Sequence, residues 1–187
     1  LKGQALIETT RLKSTVAQWD ATKAAWTTFE DRYLGVPGDY NLATTRIRAT
    51  GEENGGGDGI LGTAQTNNAI LTTNVAGATN EALYAWAHLA GANLVSGIQL
   101  ATGAAVSAAN AGGVLAGKMP STSWQFMEGT GYNATSDRWM RLQGGTATMA
   151  NALTTSLAFE IDKKYDDAVP STGNIIGGGS TEASCHN

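Results

Sequence analysis

The sequence contains little of what several specialised protein classes require. It has one cysteine, two histidines and three prolines in 187 residues, and 16 acidic residues outnumber 12 basic ones. The single cysteine, Cys185, cannot form an intrachain disulfide or a cysteine-based metal site. Lysine and arginine form no cluster, so the positive surface that binds DNA or RNA is missing. No run of about 18 apolar residues is present to span a membrane.

Large apolar residues are also scarce. Leu, Ile, Val and Phe together number 33, about 18% of the chain, a range that can signal disorder. Disorder, however, goes with high net charge and few aromatic residues, whereas this chain has a formal net charge of −4 with five Trp, five Tyr and three Phe. We therefore expect a folded chain with a small core, organised as one domain or as one domain with a long appendage. Because the chain begins at Leu1 rather than Met, we expect it to be processed or truncated.

The first segment has the period of one long amphipathic helix. It contains a single glycine and no proline from Leu1 to Leu34. The segment Gly35 to Asp39 supplies the glycine and proline that end a helix. At about 1.5 Å per residue the helix reaches about 50 Å, so its first three turns should project. We divide the chain into an N-terminal helix, 1–36, and a globular head, 37–187. Six side chains fall within an arc of about 140° and should pack against a sheet: Leu12, Val16, Trp19, Trp26, Phe29 and Tyr33.

The head shows the patterns of two further helices and paired strands. Alternating residues at 123–127 and 138–142 predict antiparallel strands joined by a loop. The sequence thus predicts an α+β fold with a long N-terminal helix packed on an antiparallel β-sheet. The other expected elements are a loop from 35 to 79; a helix from Glu81 to about Ala90, capped by Thr79 or Asn80, with Leu83, Trp86 and Ala90 on one face; a covering loop over 97–118; a helix from Thr148 to about Lys164; a strand from Thr172 to Ile176; and a mobile tail over 177–187.

Motifs for catalysis and nucleotide binding are missing. The sequence has no His-Glu-x-x-His, no Gly-x-Ser-x-Gly and no Gly-x-x-x-x-Gly-Lys-Ser/Thr. A metal-binding histidine pair would need His88 and His186 to converge from a helix and a tail. His88 is either catalytic or, as we prefer, a partly buried residue with a backbone partner.

Two acidic segments offer oxygen ligands. In the glycine-rich segment, Glu52, Glu53, Asn54 and Asp58 are of the kind that calcium prefers, although the EF-hand spacing is missing. The alternative is a solvated acidic turn.

The second acidic segment follows the last helix. Asp162, Asp166 and Asp167 are close enough for a metal ion or for paired-carboxylate catalysis. Lys163 and Lys164 stand among them, which favours a salt-bridged or helix-capping role. We expect these carboxylates to be structural and to fix the exit of that helix.

A series of motifs extends along most of the chain, and the aromatic stripe of the helix, ending in Phe29 and Tyr33, leads into the first of them. They are, in order, Leu34-Gly35-Val36-Pro37-Gly38-Asp39, Gly57-Asp58-Gly59, Ala85-Trp86-Ala87-His88-Leu89, Lys118-Met119-Pro120-Ser121 and Ile161-Asp162-Lys163-Lys164-Tyr165-Asp166-Asp167-Ala168-Val169-Pro170-Ser171-Thr172-Gly173. Together they resemble type IV pilins and pseudopilins, and one prepilin-like subgroup in particular.

The resemblance implies a structural subunit of a type IV pilus or pseudopilus, with no catalytic residue, metal or cofactor. Its partners would be copies of itself, other pilins and the inner-membrane assembly machinery. An apolar segment of about 25 residues before Leu1 would anchor the precursor in the bacterial inner membrane and later pack in a periplasm-spanning or extracellular filament. Many pilins close a C-terminal loop with a disulfide, which Cys185 alone cannot do. Ala168 replaces the subgroup's usual glycine, so a positive φ there is in question.

Two other functions remain open. The first is an adhesive module that binds a surface or saccharide through its Gly/Asn/Thr loops. Trp124 and Trp139, stacked on one exposed sheet face, would mark it. The second is a small hydrolase, which needs Asp162, Asp166 and Asp167 to converge in a cleft.

Overall fold

The structure is a computed structural model that describes residues 2–47, 54–61, 81–98, 113–130, 136–144 and 152–177. Its two strands pair as an antiparallel sheet. Helices and a small antiparallel sheet, with a long helix at the N-terminus, agree with the predicted α+β class. In chain order the elements are α1 (Lys2–Tyr33), α2 (Ala43–Arg46), α3 (Glu81–Gly91), β1 (Thr122–Thr130), β2 (Ser136–Gly144) and α4 (Thr155–Tyr165).

The C-terminal half of α1 supplies one wall of the core. Phe29 is fully buried and Val16 nearly so, while Trp19, Trp26 and Tyr33 are partly buried against the same core. The inward orientation of the predicted stripe is confirmed for these five residues. Two threonines share this buried face, and each donates its hydroxyl to the carbonyl four residues earlier, which satisfies a polar group inside the helix: Thr15 to Arg11 and Thr22 to Gln18.

The N-terminal turns of α1 are exposed. All described side chains from Leu6 to Arg11 are exposed, and Leu6 and Ile7 keep 69% and 53% of their surface. Leu12 is half-buried and lines a shallow groove with Glu160 and Tyr165 of α4. The described neighbours of Leu12 in this groove are therefore on a helix rather than on the sheet.

The end of α1 differs from expectation. Leu34, and not Gly35, takes the left-handed conformation with φ of 54°, and its N–H donates to the Glu30 carbonyl at 2.8 Å. Gly35 instead leaves room for the ring of Tyr40, which a Cβ would meet. The glycine thus permits a close approach rather than the helix-ending turn.

Helix α3 lies at the centre of the core. It confirms the predicted helix, but all nine residues 81–89 are buried rather than one face. Such a helix, with alanines and large apolar residues all round, suits a position enclosed on every side. The ring of Trp86 lies 4.2 Å from that of Phe126 on β1, and Phe126 lies 4.7 Å from Trp26 on α1. Three aromatic rings thereby join α3, the hairpin and α1.

The hairpin places its two faces in different surroundings. Trp124 pairs with Leu142 and Phe126 with Met140, and these four residues belong to the core. The opposite face carries polar residues such as Gln125. Both strands confirm the prediction and extend beyond it.

Three expected features differ from the structure. Helix α4 begins at Thr155, not Thr148, because Thr154 is extended and its Oγ1 accepts the Leu157 N–H at 3.4 Å. Residues 152–177 contain no strand, so the predicted strand at 172–176 is wrong. The short helix α2 interrupts the expected loop. Expectations for Thr79, Asn80, most of the 97–118 loop and the tail beyond 177 fall outside the described residues.

Truncation of the α1 stripe should scale with burial. We expect Phe29→Ala to lower the free energy of unfolding by about 3 to 5 kcal/mol, since it leaves a cavity in the core. Trp26→Ala should cost less because that ring is only partly buried. Thr27→Ala, on the exposed face, is the matched control and should change stability by less than about 0.5 kcal/mol. Urea unfolding measures all three, and equal effects of Phe29→Ala and Thr27→Ala would contradict the packing of α1.

Candidate functional site

The glycine-rich segment 54–61 is fixed to the head through its backbone. The Gly55 N–H donates to the Tyr40 carbonyl at 3.0 Å, and the Gly57 N–H donates to the Asp39 carbonyl at 2.9 Å. A Cβ on Gly55 would collide with the backbone of Gly38 and Asp39. The absence of a side chain is what lets these two segments touch.

Two buried carboxylates bind consecutive amides of this segment. Asp39 accepts the N–H groups of residues 57, 58 and 59 at 2.6, 3.0 and 2.8 Å. Glu81, in the first turn of α3, accepts the Gly56 N–H at 2.5 Å. Asp39 and Glu81 are only 4% and 2% exposed. Successive backbone amides of this kind form an anion-binding nest, and here the protein's own carboxylates fill it.

His88 supports the other side of the same turn. It is fully buried, its Nδ1 accepts the Gly38 N–H at 2.8 Å, and its ring stacks on Phe29 with 6.0 Å between centroids. Nδ1 therefore carries no proton. The interpretation of His88 as a histidine with a backbone partner is confirmed, with deeper burial than expected. His186 and Cys185 lie outside the described residues.

The hairpin also holds the glycine-rich segment. Glu128 accepts the Leu61 N–H at 2.7 Å and the Arg138 Nε at 3.1 Å. Arg138 in turn donates to the Gly59 carbonyl at 2.5 Å and lies 3.8 Å from Glu30 on α1. One arginine thus contacts α1, β1 and the glycine-rich segment. Exposed ion pairs of this type contribute little stability. The role of Arg138 is therefore to position these three parts of the chain.

The calcium ligands proposed from the glycine-rich segment do not converge as a set. Asn54 directs Oδ1 to the N–H and hydroxyl of Thr44 at 3.0 and 3.2 Å. Asp58 lies instead beside Asp39 and Glu81, with one oxygen of each within 4.8 Å of the others. Glu52 and Glu53 lie outside the described residues.

Asp39 and Glu81 are the residues that the sequence did not reveal. The backbone N–H groups that donate to Asp39 and Glu81 can be identified only from the folded structure. The available signal was an acidic residue at the start of an otherwise apolar helix, which needs a polar partner once buried.

The second acidic cluster follows α4. One oxygen each of Asp162, Asp166 and Asp167 lies within 4.8 Å of the other two. Asp166 Oδ2 accepts the N–H groups of Asn174 and Ile175 at 2.5 and 2.6 Å. These bonds hold residues 174 and 175 in a loop rather than in the predicted strand.

Asp167 has a similar structural role. Its Oδ1 accepts the Val169 N–H at 2.9 Å and its Oδ2 accepts the Thr172 hydroxyl at 2.6 Å. The Thr172 and Val169 hydrogen bonds lower the pKa of the Asp167 carboxyl. The structural role that we predicted is confirmed for Asp166 and Asp167.

Asp162 differs from its two neighbours. It is 3% exposed, and among the described residues no group makes a hydrogen bond of ordinary length and angle with either carboxylate oxygen. Burial raises its pKa, and the negative charges of Asp167 and Asp166 raise it further, against a smaller lowering by the nearby Ala168 N–H.

The two lysines do not compensate these charges. Lys163 and Lys164 are exposed, and in the described part of the chain neither lies within ion-pair distance of the three carboxylates. The Lys164 ammonium lies 5.2 Å from the ring centre of Tyr165 instead. The salt-bridged interpretation of this cluster is wrong.

Ala168 has the positive φ that the pilin resemblance put in question. Its φ is +64°, so the backbone keeps the left-handed conformation without a glycine. That conformation costs an alanine about 1 to 2 kcal/mol. The hydrogen bonds of Asp166 and Asp167 on either side of the loop hold it there.

Trp124 and Trp139 do not form a shared aromatic surface. Trp124 pairs with Leu142 and Trp139 with Met127, a register that puts the two indoles on opposite faces of the sheet. Trp124 is 6% exposed and donates its indole N–H to Gln18 on α1 at 2.8 Å. The feature that would mark an adhesive module is therefore not formed.

No protein-family model, curated protein or solved structure matches this chain. Among the described residues, no helix combines the length and the apolar character needed to cross a membrane.

Replacing Asp39 should release the glycine-rich segment. We expect Asp39→Asn to lower the free energy of unfolding by about 2 to 4 kcal/mol, because an amide accepts hydrogen bonds at one atom only, so that at least one of the N–H groups of residues 57–59 loses its acceptor. Asp58→Asn is the control, since Asp58 is exposed and its Oδ1 accepts one local N–H at 3.0 Å. Chemical denaturation measures both variants. If Asp39→Asn is as stable as Asp58→Asn, the nest does not hold the segment.

The raised pKa of Asp162 predicts the sign of one pH effect. Its carboxyl binds a proton more tightly in the folded protein than in the unfolded one, where its pKa is near 3.8, the ordinary value for an aspartate. Stability contributed by Asp162 is thus lost as the pH rises above that value through the folded pKa. In chelator-treated buffer, the free energy of unfolding of Asp162→Asn relative to wild type should be higher at pH 7 than at pH 4. Asp20→Asn, an exposed site, should show no such gain; an equal pH profile for both variants would contradict the shift.

Proposed function

We propose that this chain is a structural subunit of a type IV pilus or pseudopilus that assembles through its N-terminal helix. The observation that carries the proposal is the division of α1 into a packed half and an exposed half. From Val16 onward the helix contributes buried side chains to the head, whereas Leu6 and Ile7 are exposed. Exposed apolar side chains on a helix are surface that an assembly of subunits can bury.

The dimensions of α1 support the same function. Its 32 residues extend about 48 Å at 1.5 Å per residue. The turns from Lys2 to Arg11 account for about 15 Å of that length. A helix of this length can connect a head to a bundle of neighbouring helices, and we propose that an apolar segment before Leu1 continues it into that bundle.

The chemistry of the head supports a non-catalytic role. Among the described residues, Asp39, Glu81 and His88 are buried polar groups of the kind that catalytic sites use, and each accepts a backbone N–H, from Gly57, Gly56 and Gly38 respectively. Groups committed to fixing the backbone are not free to exchange protons with a substrate. The head therefore suits a rigid building block better than an enzyme.

The proposal includes a location and partners. The precursor would be held in the bacterial inner membrane by the apolar segment, where the assembly machinery adds it to a growing filament. The filament would consist of copies of this chain with other pilins. The alternative, a surface- or saccharide-binding module, lacks the paired exposed indoles that it requires, since Trp124 is buried on the α1 side.

Charge substitutions on α1 test the proposal. In the full-length precursor, Leu6→Glu with Ile7→Glu should reduce sheared filaments at least about tenfold, because each subunit contact loses buried apolar surface worth more than about 1.4 kcal/mol. Leu42→Glu with Ile60→Glu is the matched control, since these residues are similarly exposed on the head at 43% and 48%. Electron microscopy and quantitative blotting of the sheared fraction give the measurement.

The 187-residue chain alone provides the second half of the test. Without the apolar segment it should sediment as a monomer at micromolar concentration, because its large apolar residues are used by its own core. Stable ordered oligomers of this chain would contradict the proposal. So would a full-length precursor that stays monomeric without detergent.

A further inference from the structure

The acidic cluster after α4 contains an uncompensated buried carboxylate. Asp162 is 3% exposed, and no described group makes a hydrogen bond of ordinary length and angle with either of its carboxylate oxygens. Buried carboxylates are normally hydrogen-bonded or paired with a cation, because desolvating an isolated charge is costly. The carboxylate lies among two others instead of beside a positive side chain. We propose that Asp162, Asp166 and Asp167 form a binding site for a divalent cation of the calcium class.

The spacing of the oxygens fits this ion. Calcium binds oxygen ligands at about 2.3 to 2.6 Å, so two oxygens on one ion lie about 3 to 5 Å apart. One oxygen of each of the three aspartates lies within 4.8 Å of the others. The spacing of the three carboxylates is therefore compatible with their contacting one ion.

The hydrogen bonds of the two partner aspartates orient the site. Asp166 uses Oδ2 for the N–H groups of residues 174 and 175, and its Oδ1 has a single long contact of 3.5 Å to Asn174 Nδ2. Asp167 accepts one hydrogen bond at each oxygen. A carboxylate oxygen has two lone pairs, so both residues retain capacity for a cation. Their backbone contacts fix the oxygens in place before an ion arrives.

The electrostatics of the cluster favour a cation. Three carboxylates meet with no lysine or arginine within ion-pair distance among the described residues. The three negative charges, held this close together, repel one another. A divalent ion would remove this repulsion. It would also tie the last turn of α4 to the loop that follows.

The other acidic cluster, formed by Asp39, Asp58 and Glu81, differs in the hydrogen bonds of its buried carboxylates. Asp39 accepts three backbone N–H groups and Glu81 at least one, so these buried carboxylates are already stabilised. We therefore assign the cation site to the loop after α4 and not to the glycine-rich segment. Asp58 belongs to the latter cluster and supplies the matched control.

The experiment is a calcium titration of the whole 187-residue chain after treatment with a chelator. Calcium chloride should give a saturable heat in calorimetry, with one ion bound per chain. At a free concentration near 100 times Kd it should raise the Tm by roughly 5 to 10 °C. Asp162→Asn should lose both the heat and the shift, whereas Asp58→Asn should keep them.

Three results would overturn the assignment. The first is a wild-type chain that shows neither heat nor a change in Tm with calcium. The second is an Asp58→Asn variant that loses the response while Asp162→Asn keeps it. The third is an Asp162→Asn variant that binds calcium as wild type does. If Asp162→Asn does not fold, the wild-type titration and Asp167→Asn decide, since loss of binding is expected there too. Filament formation is measured separately, so this test is independent of the proposed assembly.

Discussion

The head depends on fixing residues 55–59, four of which are glycines. The glycines cannot be held by apolar packing, so their N–H and C=O groups make the contacts. Asp39 and Glu81 accept the four consecutive N–H groups of residues 56–59, and Glu128 accepts that of Leu61. The three carboxylates come from the turn after α1, the start of α3 and the hairpin. The glycine-rich segment thereby joins the parts of the head that are distant in sequence.

Two ways of burying an acidic residue occur in this chain. Asp39 and Glu81 are compensated by backbone dipoles, and Glu81 additionally lies in the first turn of α3, where the helix dipole favours a negative charge. Asp162 is equally buried but lies near the C-terminal end of α4, where the dipole disfavours it. This difference explains why the protein itself stabilises the charges of Asp39 and Glu81, whereas Asp162 requires a proton or an external cation.

The features predicted from sequence are those governed by local periodicity. The stripe of α1, the helix around Trp86 and the two strands each follow from the spacing of apolar residues along one element. The burial of α3 on all sides was not predictable, since it depends on what surrounds the helix. The strand expected at 172–176 failed because Asp166 captures the N–H groups of residues 174 and 175. Asp39 was missed because its hydrogen-bond donors lie 18 to 20 residues away in the sequence, so local periodicity does not reveal them.

The tryptophans give the fold an optical signature. The sequence has five, and all five lie in the described residues, where each is buried or half-buried. They are distributed over α1, α3 and both strands. Four of them, Trp19, Trp26, Trp86 and Trp124, belong to the core or pack against it at the surfaces where these elements meet. Their emission should be blue-shifted in the folded chain and should move to longer wavelength when any of these surfaces separates. Intrinsic tryptophan fluorescence therefore reports the docking of α1 on the head without an added label.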